Sequence, residues 1–384
     1  MTASPKRPRL LLDAGPYSLS ATGITGIGVR VAELAETLAV HFPVLVSMED
    51  TTDCVDIAAA VAVPAALWDK HLAESDVVFF FDLPDPARLE QAAAAGKRIV
   101  TENAPPIEHL EYPSLLRAAD PAGAHRALVA AFERQLQVSH HFLCRSRVER
   151  VALVACLCLA GRLAPQDIAR SRTLSHLIST VPIGFSAASE ATAARRPSRP
   201  LADVLWTGGI WTYFHPLLLV DAMALCRDAG TPMTAAFLYA QPSPDNRESI
   251  RQVSERIAAL GLDGAVRLIG EPLRHQERDG IIKGARALVC VARPGIENET
   301  CVRLRARDSR LYGVPSIVDS GGPTGAELAA DGLGYVLTSD DPGELAETLI
   351  KITRDGTGPA GAHPGYRYDR TLGNLMDWLL ERAT

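Results

Sequence analysis

A chain of 384 residues exceeds what one ordinary core organises and predicts two domains of roughly 150 to 200 residues each. Hydrophobic residues at 47% and charged residues at 22% form a globular composition, and no apolar run reaches the ~18 to 20 residues of a membrane span, so a soluble, cytoplasmic protein without a transmembrane segment is expected. A net charge of −6 without a local basic stripe argues against nucleic acid as a partner. Seven cysteines without a zinc or redox spacing read as buried free thiols in a reducing compartment.

The N-terminal stretch MTASPKRPRLLLDAG reads as a first strand rather than a signal peptide, because Asp13 interrupts the apolar run and no A-x-A cleavage site follows. Short runs rich in Val, Ile, Leu and Phe then alternate with longer helical segments, the pattern of parallel strands joined by crossover helices. In the first half the strands are expected at 10–14, 43–47, 76–82, 97–101 and 141–144, with helices at 28–40, 85–95, 122–138 and 147–160. The stretch SAASEATAARRPSRP, residues 186–200, lacks apolar periodicity and reads as a linker between a first domain, 1–185, and a second, 201–367. Beyond it strands are expected at 203–207, 233–239, 266–269, 287–292 and 316–319, with helices at 216–229 and 246–260. The last segment, 368–384, carries Leu372, Leu375, Met376, Leu379 and Leu380 at helical spacing. Packing back on the first domain would bury that face. The fold class is therefore α/β, two doubly wound domains of Rossmann type. Such sheets take ligands beyond the carboxyl ends of their strands, so two facing domains are expected to hold a ligand in the cleft between them.

Three stretches combine the residue types such a site needs. After the first strand, Gly26 and Gly28 lead into a helix whose N-terminal amides can meet an anion or a sugar oxygen, though a purely structural turn fits equally well. The second half opens with Trp206-Thr-Gly-Gly-Ile-Trp211-Thr-Tyr-Phe-His-Pro216, where Gly208 and Gly209 let backbone amides reach a pyrophosphate. Trp211 there is either a pocket wall or a core aromatic. The third stretch runs from Arg293 to Gly313. With Asn298 or Thr300 as helix cap, Glu297 falls before the helix and is expected to point into the cleft toward sugar hydroxyls. Asp308 lies inside the helix, where it can grip a ribose diol, and Arg303 and Arg305 offer positive charge to a diphosphate leaving group. On a regular helix these two arginines point roughly 200° apart, so one is expected to be the ligand and the other structural. A solvated charged helix is the alternative.

Together and in this order the three stretches resemble the retaining family-4 glycosyltransferases, over nearly the whole chain. More narrowly they are similar to a bacterial branch with a Gly-x-Gly-Ile-Arg-type turn, here Gly26-Ile-Gly-Val-Arg30. Its Gly-Gly-Ile-Trp-Asp turn is here Gly208-Gly-Ile-Trp-Thr212, and its Glu followed by Arg-x-Arg is here Glu297 with Arg303, Arg305 and Asp308. The segment FLCRSRVERVALVACLCLAGRLAP also resembles that branch. The resemblance implies a fold of two facing Rossmann-like domains (GT-B), no metal, no cofactor beyond the donor, and donor contacts from Gly26, Gly28, Arg30, Gly208, Gly209, Trp211 and Thr212.

In the wider family two acids spaced E-x7-E contact the donor sugar and the ribose. Counted from Gly313, Asp308 takes the second place, while no acid stands at the first, so that Glu297 or Glu299, beside Asn298, must substitute. The family's Arg and Lys after the glycine turn are missing, the next basic residue being Arg227, which leaves Arg303 or Arg305 to neutralise the diphosphate. Thr212 and His215 stand where the branch has Asp, and Thr101 to Glu111 replaces an Asp-Pro-Phe-His-Leu-Glu-like string. His109 is either the family's donor-contacting histidine or a surface one.

The function implied is transfer of a sugar, with retention and without metal, from a nucleotide-diphosphate sugar (GDP-, UDP- or ADP-linked) to a glycan or small molecule through a hydroxyl or thiol. The leaving diphosphate would remove the acceptor proton on the same face, so that the protein's part is positioning and electrostatic stabilisation. S-glycosylation in lincosamide-like antibiotic assembly is a specialised option. An inactive relative that binds nucleotide sugar or a partner protein, and a two-domain epimerase, are the competing readings, and a homodimer is left open.

Overall fold

The computed structural model describes residues 7–102, 106–356 and 361–381. They divide into two compact units, one of Met1–Pro106, Ala122–Ser189 and Gly365–Thr384, the other of Ile107–Pro121 and Glu190–Pro364. The stretch 107–121, which the sequence reading assigned to the first domain, thus groups with the second. The expected linker is not featureless either: it carries a helix, Ala187–Arg195. Lys283 Nζ donates to the carbonyls of Ala193 and Arg196, at 2.6 Å each, and Arg199 N donates to Gly280 O.

The first unit is built on seven strands: β1 (Leu10–Asp13), β2 (Val44–Met48), β3 (Val61–Pro64), β4 (Val77–Phe81), β5 (Arg98–Glu102), β6 (His141–Cys144) and β7 (Ile178–Thr180), in the order β3-β2-β1-β4-β5-β6-β7, every pair parallel. A sheet covered on both faces needs apolar residues at successive positions. Leu10 and Leu12 accordingly face a core with Val31, Leu34 and Leu38 of helix Gly26–Ala39 and with Leu375 and Trp378, while Leu11 faces another with Trp68, Leu72, Phe80 and Leu89. The C-terminal segment, 368–384, read by its helical spacing, forms two helices, Tyr368–Thr371 and Gly373–Leu380.

The second unit has six strands, β8 (Val204–Gly209), β9 (Ala235–Tyr239), β10 (Val266–Leu268), β11 (Ala287–Cys290), β12 (Ser316–Asp319) and β13 (Gly334–Leu337), ordered β10-β9-β8-β11-β12-β13 and again all parallel. The chain order reverses between β8 and β11. In a doubly wound sheet this switch point is where loops diverge and a ligand can enter. Gly208 and Gly209 end β8 and lead into the segment up to His215, and Arg293 to Thr300 lies in the segment after β11; these belong to two of the three stretches singled out above. Helix Ala306–Tyr312 is buried at all seven positions, so the solvated charged helix does not exist. Gly313 ends it in the left-handed conformation, φ 68°.

Candidate functional site

At the switch point of the second unit the chain assembles aromatic rings, carboxylates and guanidinium groups from four segments. Trp206 at the end of β8 is fully buried, with Nε1 donating to Gly209 O at 3.2 Å, and it is the core aromatic of the stretch. Trp211 is half-buried and lies 6.1 Å from Tyr112, which stacks at 6.4 Å on Tyr213. Thr212 Oγ1 donates to Glu111 O at 3.3 Å.

The sequence reading missed the second contributor, the short helix Ile107–Leu110 and its continuation. Glu108 Oε1 accepts from both Tyr112 Oη, 2.7 Å, and Tyr213 Oη, 2.8 Å, and Glu111 Oε1 accepts from Glu297 N at 3.2 Å. His109 sits beside this cluster, half-buried, edge-on to Tyr112 at 5.5 Å. The string around His109 held the signal for Glu108 and Glu111, but Tyr213 and Glu297, which tie them to the second unit's site, lie over 100 residues away. Asn103, Ala104 and Pro105 of that string lie outside the described residues.

The third segment corrects several expectations. The short helix is Ile296–Thr300 with Gly295 as its cap, so Glu297 stands inside the helix and neither Asn298 nor Thr300 caps it. Glu297 is buried and held by Arg303 through two bonds, Nη1 to Oε1 at 2.9 Å and Nη2 to Oε2 at 2.6 Å, while Glu299 is exposed. Burial raises the Glu297 carboxyl above its ordinary range, Arg303 opposes this, and Glu108 and Glu111 add to the rise. For Arg303 burial works against the charge, while Glu297, with Cys290 and Cys301, acts the other way and the net shift is upward. Asn298 joins the pair to the turn after β12: its Oδ1 accepts from Arg303 Nη2 at 3.1 Å and its Nδ2 donates to Asp319 Oδ1 at 2.5 Å. A side chain at Gly322 would meet Asn298 O at 2.1 Å, which is why that turn needs glycine.

Arg303 and Arg305 precede the helix rather than ride on it, because residues 301–305, between helices Ile296–Thr300 and Ala306–Tyr312, are not helical. The 200° argument therefore does not apply, yet the two differ sharply. Arg303 is consumed by Glu297 and lies over Phe214 at 4.4 Å. Arg305 lies over Phe214 at 4.0 Å and Trp206 at 5.0 Å, with no carboxylate bonded to it among the described residues. Its Nη2 donates to Gly209 O at 2.6 Å, while Nη1 is enclosed without a hydrogen-bond partner. A Cβ at Gly208 would sit 2.1 Å from Arg305 Nε, so this glycine is needed to admit the guanidinium. Burial lowers the Arg305 pKa, and Arg303 adds to that.

Asp308 is also not a solvent-facing cleft residue. It is buried, with Oδ2 taken by Arg278 Nη2 at 2.6 Å and Oδ1 by Arg307 Nη1 at 3.3 Å. Lys283 is engaged as a structural anchor, as described for the segment 193–196.

In the first unit, Gly26 opens the helix after β1 and Thr25 caps it, its Oγ1 accepting from Gly28 N at 3.0 Å, which takes one amide expected for a ligand. A Cβ at Gly28 would fall 2.1 Å from Ser18 O, so the chain's own backbone accounts for that glycine. Arg30, expected at the donor, is buried and saturated instead. It forms two bonds to Glu102, 2.6 and 2.5 Å, and donates to Val181 O, Pro182 O and Tyr368 Oη.

One group of metal-ligand types occurs among the described residues: Glu108, Glu297 and Cys301 place one atom each within 4.8 Å of one another. Both Glu297 oxygens already serve Arg303, which leaves the trio poorly suited to a cation. No described helix is long and apolar enough to cross a membrane.

No protein-family model and no curated protein matches the chain. Solved structures do. HepE from Anabaena, in complex with UDP-glucose, is 15% identical, with a TM-score of 0.59 over 96% of this chain and 98% of that one. OtsA, a trehalose-6-phosphate synthase, is 11% identical with a TM-score of 0.63 over 97% of each chain. Sucrose-phosphate synthase from Thermosynechococcus elongatus is 14% identical with a TM-score of 0.55 over 97% and 94%. At such identities the likeness establishes the fold: mixed α/β of the GT-B class, with parallel sheets of seven and six strands.

Proposed function

We propose that this protein is a glycosyltransferase whose second unit binds a nucleotide-diphosphate sugar at the β8–β11 switch point. The observation that carries the reading is Arg305 under the Gly208-Gly209 turn. The turn itself supplies only neutral donors, and no basic residue follows it in sequence before Arg227. Arg305 reaches the turn from the far side, bonds Gly209 O and keeps Nη1 without a partner. A preorganised cation beside backbone amides is what a departing diphosphate requires. HepE, which shares the fold, is described in complex with UDP and with UDP-glucose, which supports a donor of that chemical class.

In this account the Glu297–Arg303 pair and the Tyr112, Trp211 and Tyr213 rings form the wall against the sugar, with His109 at its edge. Transfer proceeds with retention and without metal, the leaving diphosphate taking the acceptor proton. Hydroxyl and thiol acceptors fit equally. One observation favours an inactive nucleotide-sugar-binding relative instead: both acids that the resemblance assigned to the donor, at 297 and 308, are tied to arginines.

Incubation with UDP-, GDP- and ADP-sugars and a panel of sugar, hydroxyl and thiol acceptors, followed by assay of released nucleoside diphosphate, separates the two. Acceptor-dependent release supports the transferase. Tight donor binding with no release from any pair supports the inactive relative.

A further inference from the structure

Asp308 and Arg278 are buried and, with the half-buried His275, form a polar group outside the site described above. Arg278 and His275 lie one turn apart on helix His275–Lys283 and so share a face. Arg278 is less than one-tenth exposed. Its Nη2 is fixed by Asp308, while its Nη1 is buried with no hydrogen-bond partner. His275 Nδ1 is likewise enclosed and without a partner. Burial, then Arg307 and Arg278, push this imidazole down to about 3, so it is neutral at physiological pH. The neighbouring carboxylate of Asp279 accepts from Tyr312 Oη. Asp308 N donates to Arg305 O at 3.0 Å, so this group begins one turn from the guanidinium beside Gly209.

A carboxylate with one oxygen on each of two guanidinium groups, and itself 1% exposed, offers no surface to a ribose diol. What it does is hold the Arg278 plane. A buried guanidinium N–H without an acceptor is unfavourable, and an anionic oxygen is the acceptor that suits it best. We infer that Arg278 is an anion-binding residue for the phosphates of the donor nucleotide and that Asp308 is its positioning residue rather than the ribose ligand. This rests on the donor reading above.

The test is a calorimetric titration of the full-length wild type, Asp308→Asn, Asp308→Glu and Arg278→Gln with UDP, GDP and ADP, their 2′,3′-dideoxy analogues, and inorganic pyrophosphate. Arg278→Lys replaces Arg278→Gln if the latter melts early. Asp308→Asn should weaken the ribo and dideoxy forms by the same factor, about tenfold. Asp308→Glu should recover most of that loss, and the Arg278 variant should lose pyrophosphate as well as nucleotide. If Asp308→Asn weakens only the ribo form, Asp308 holds the ribose and the proposal is overturned while the donor reading stands. Unchanged pyrophosphate binding in the Arg278 variant also overturns it. If no nucleotide binds the wild type, the donor reading falls and this proposal with it.

Discussion

Arg303 and Glu297 meet as a two-point clamp, guanidinium edge against carboxylate edge at 2.9 and 2.6 Å, with both side chains at most 5% exposed. Removing one partner of such a pair strands the other charge in the interior. Arg303→Ala is therefore expected to destabilise the second unit by about 3 to 5 kcal/mol, and Glu297→Gln, which keeps one hydrogen-bonding edge, by about 1 to 3 kcal/mol. Thermal denaturation checks this. Melting curves within 1 °C of wild type for both would mean that the clamp is not formed in solution.

Gly208→Ala is expected to act through Arg305. The added methyl would fall 2.1 Å from Arg305 Nε, so the guanidinium must leave the turn. Steady-state kinetics with whichever donor the nucleotide-release assay selects should show a loss of about 10² to 10³ in turnover, the scale of one preorganised transition-state contact. Wild-type turnover in Gly208→Ala would separate Arg305 from the reaction.

These two cases also show what the sequence could and could not tell. Strands such as Leu10–Asp13 and Val77–Phe81 were legible because burial on both faces writes a continuous apolar run. The missed strands, β3, β7 and β13, have three or four residues and stand at or beside an edge, where partial exposure erases that run. The glycine turns and the arginines were visible as residue types. Their pairings were not, because Arg30 with Glu102 or Arg278 with Asp308 depends on which helices and strand ends the fold brings together. That Glu297 and Asp308 are buried against arginines was hidden for the same reason: a charged residue reads as exposed until its partner is known.

His141 makes the first unit acid-sensitive. It is fully buried against Trp378, ring centroids 4.7 Å apart, and burial lowers its pKa to about 3 from the ordinary 6.5. The folded state therefore resists the proton that the unfolded chain accepts. Its contribution is present above pH 6.5 and is lost as the pH falls toward 3, by about 1.4 kcal/mol per pH unit. Denaturant titrations at pH 7 and pH 5 should show this loss, and His141→Asn should flatten it. An unchanged slope in the variant would assign the acid sensitivity elsewhere.

Transfer is expected to survive EDTA unchanged, because both Glu297 oxygens in the Glu108, Glu297 and Cys301 trio are committed to Arg303. A strict requirement for a divalent ion, restored by re-addition after dialysis, would show that the trio recruits a metal and opens the clamp.

Arg305 with Gly208 and Gly209 makes up the proposed diphosphate site, and calorimetric titration of wild type and Arg305→Met with UDP, GDP and ADP probes that assignment. At least one of the three should bind the wild type and weaken by about tenfold or more in Arg305→Met, while circular dichroism shows the fold retained. No nucleotide binding to the wild type, or equal affinity in the folded variant, would contradict the account.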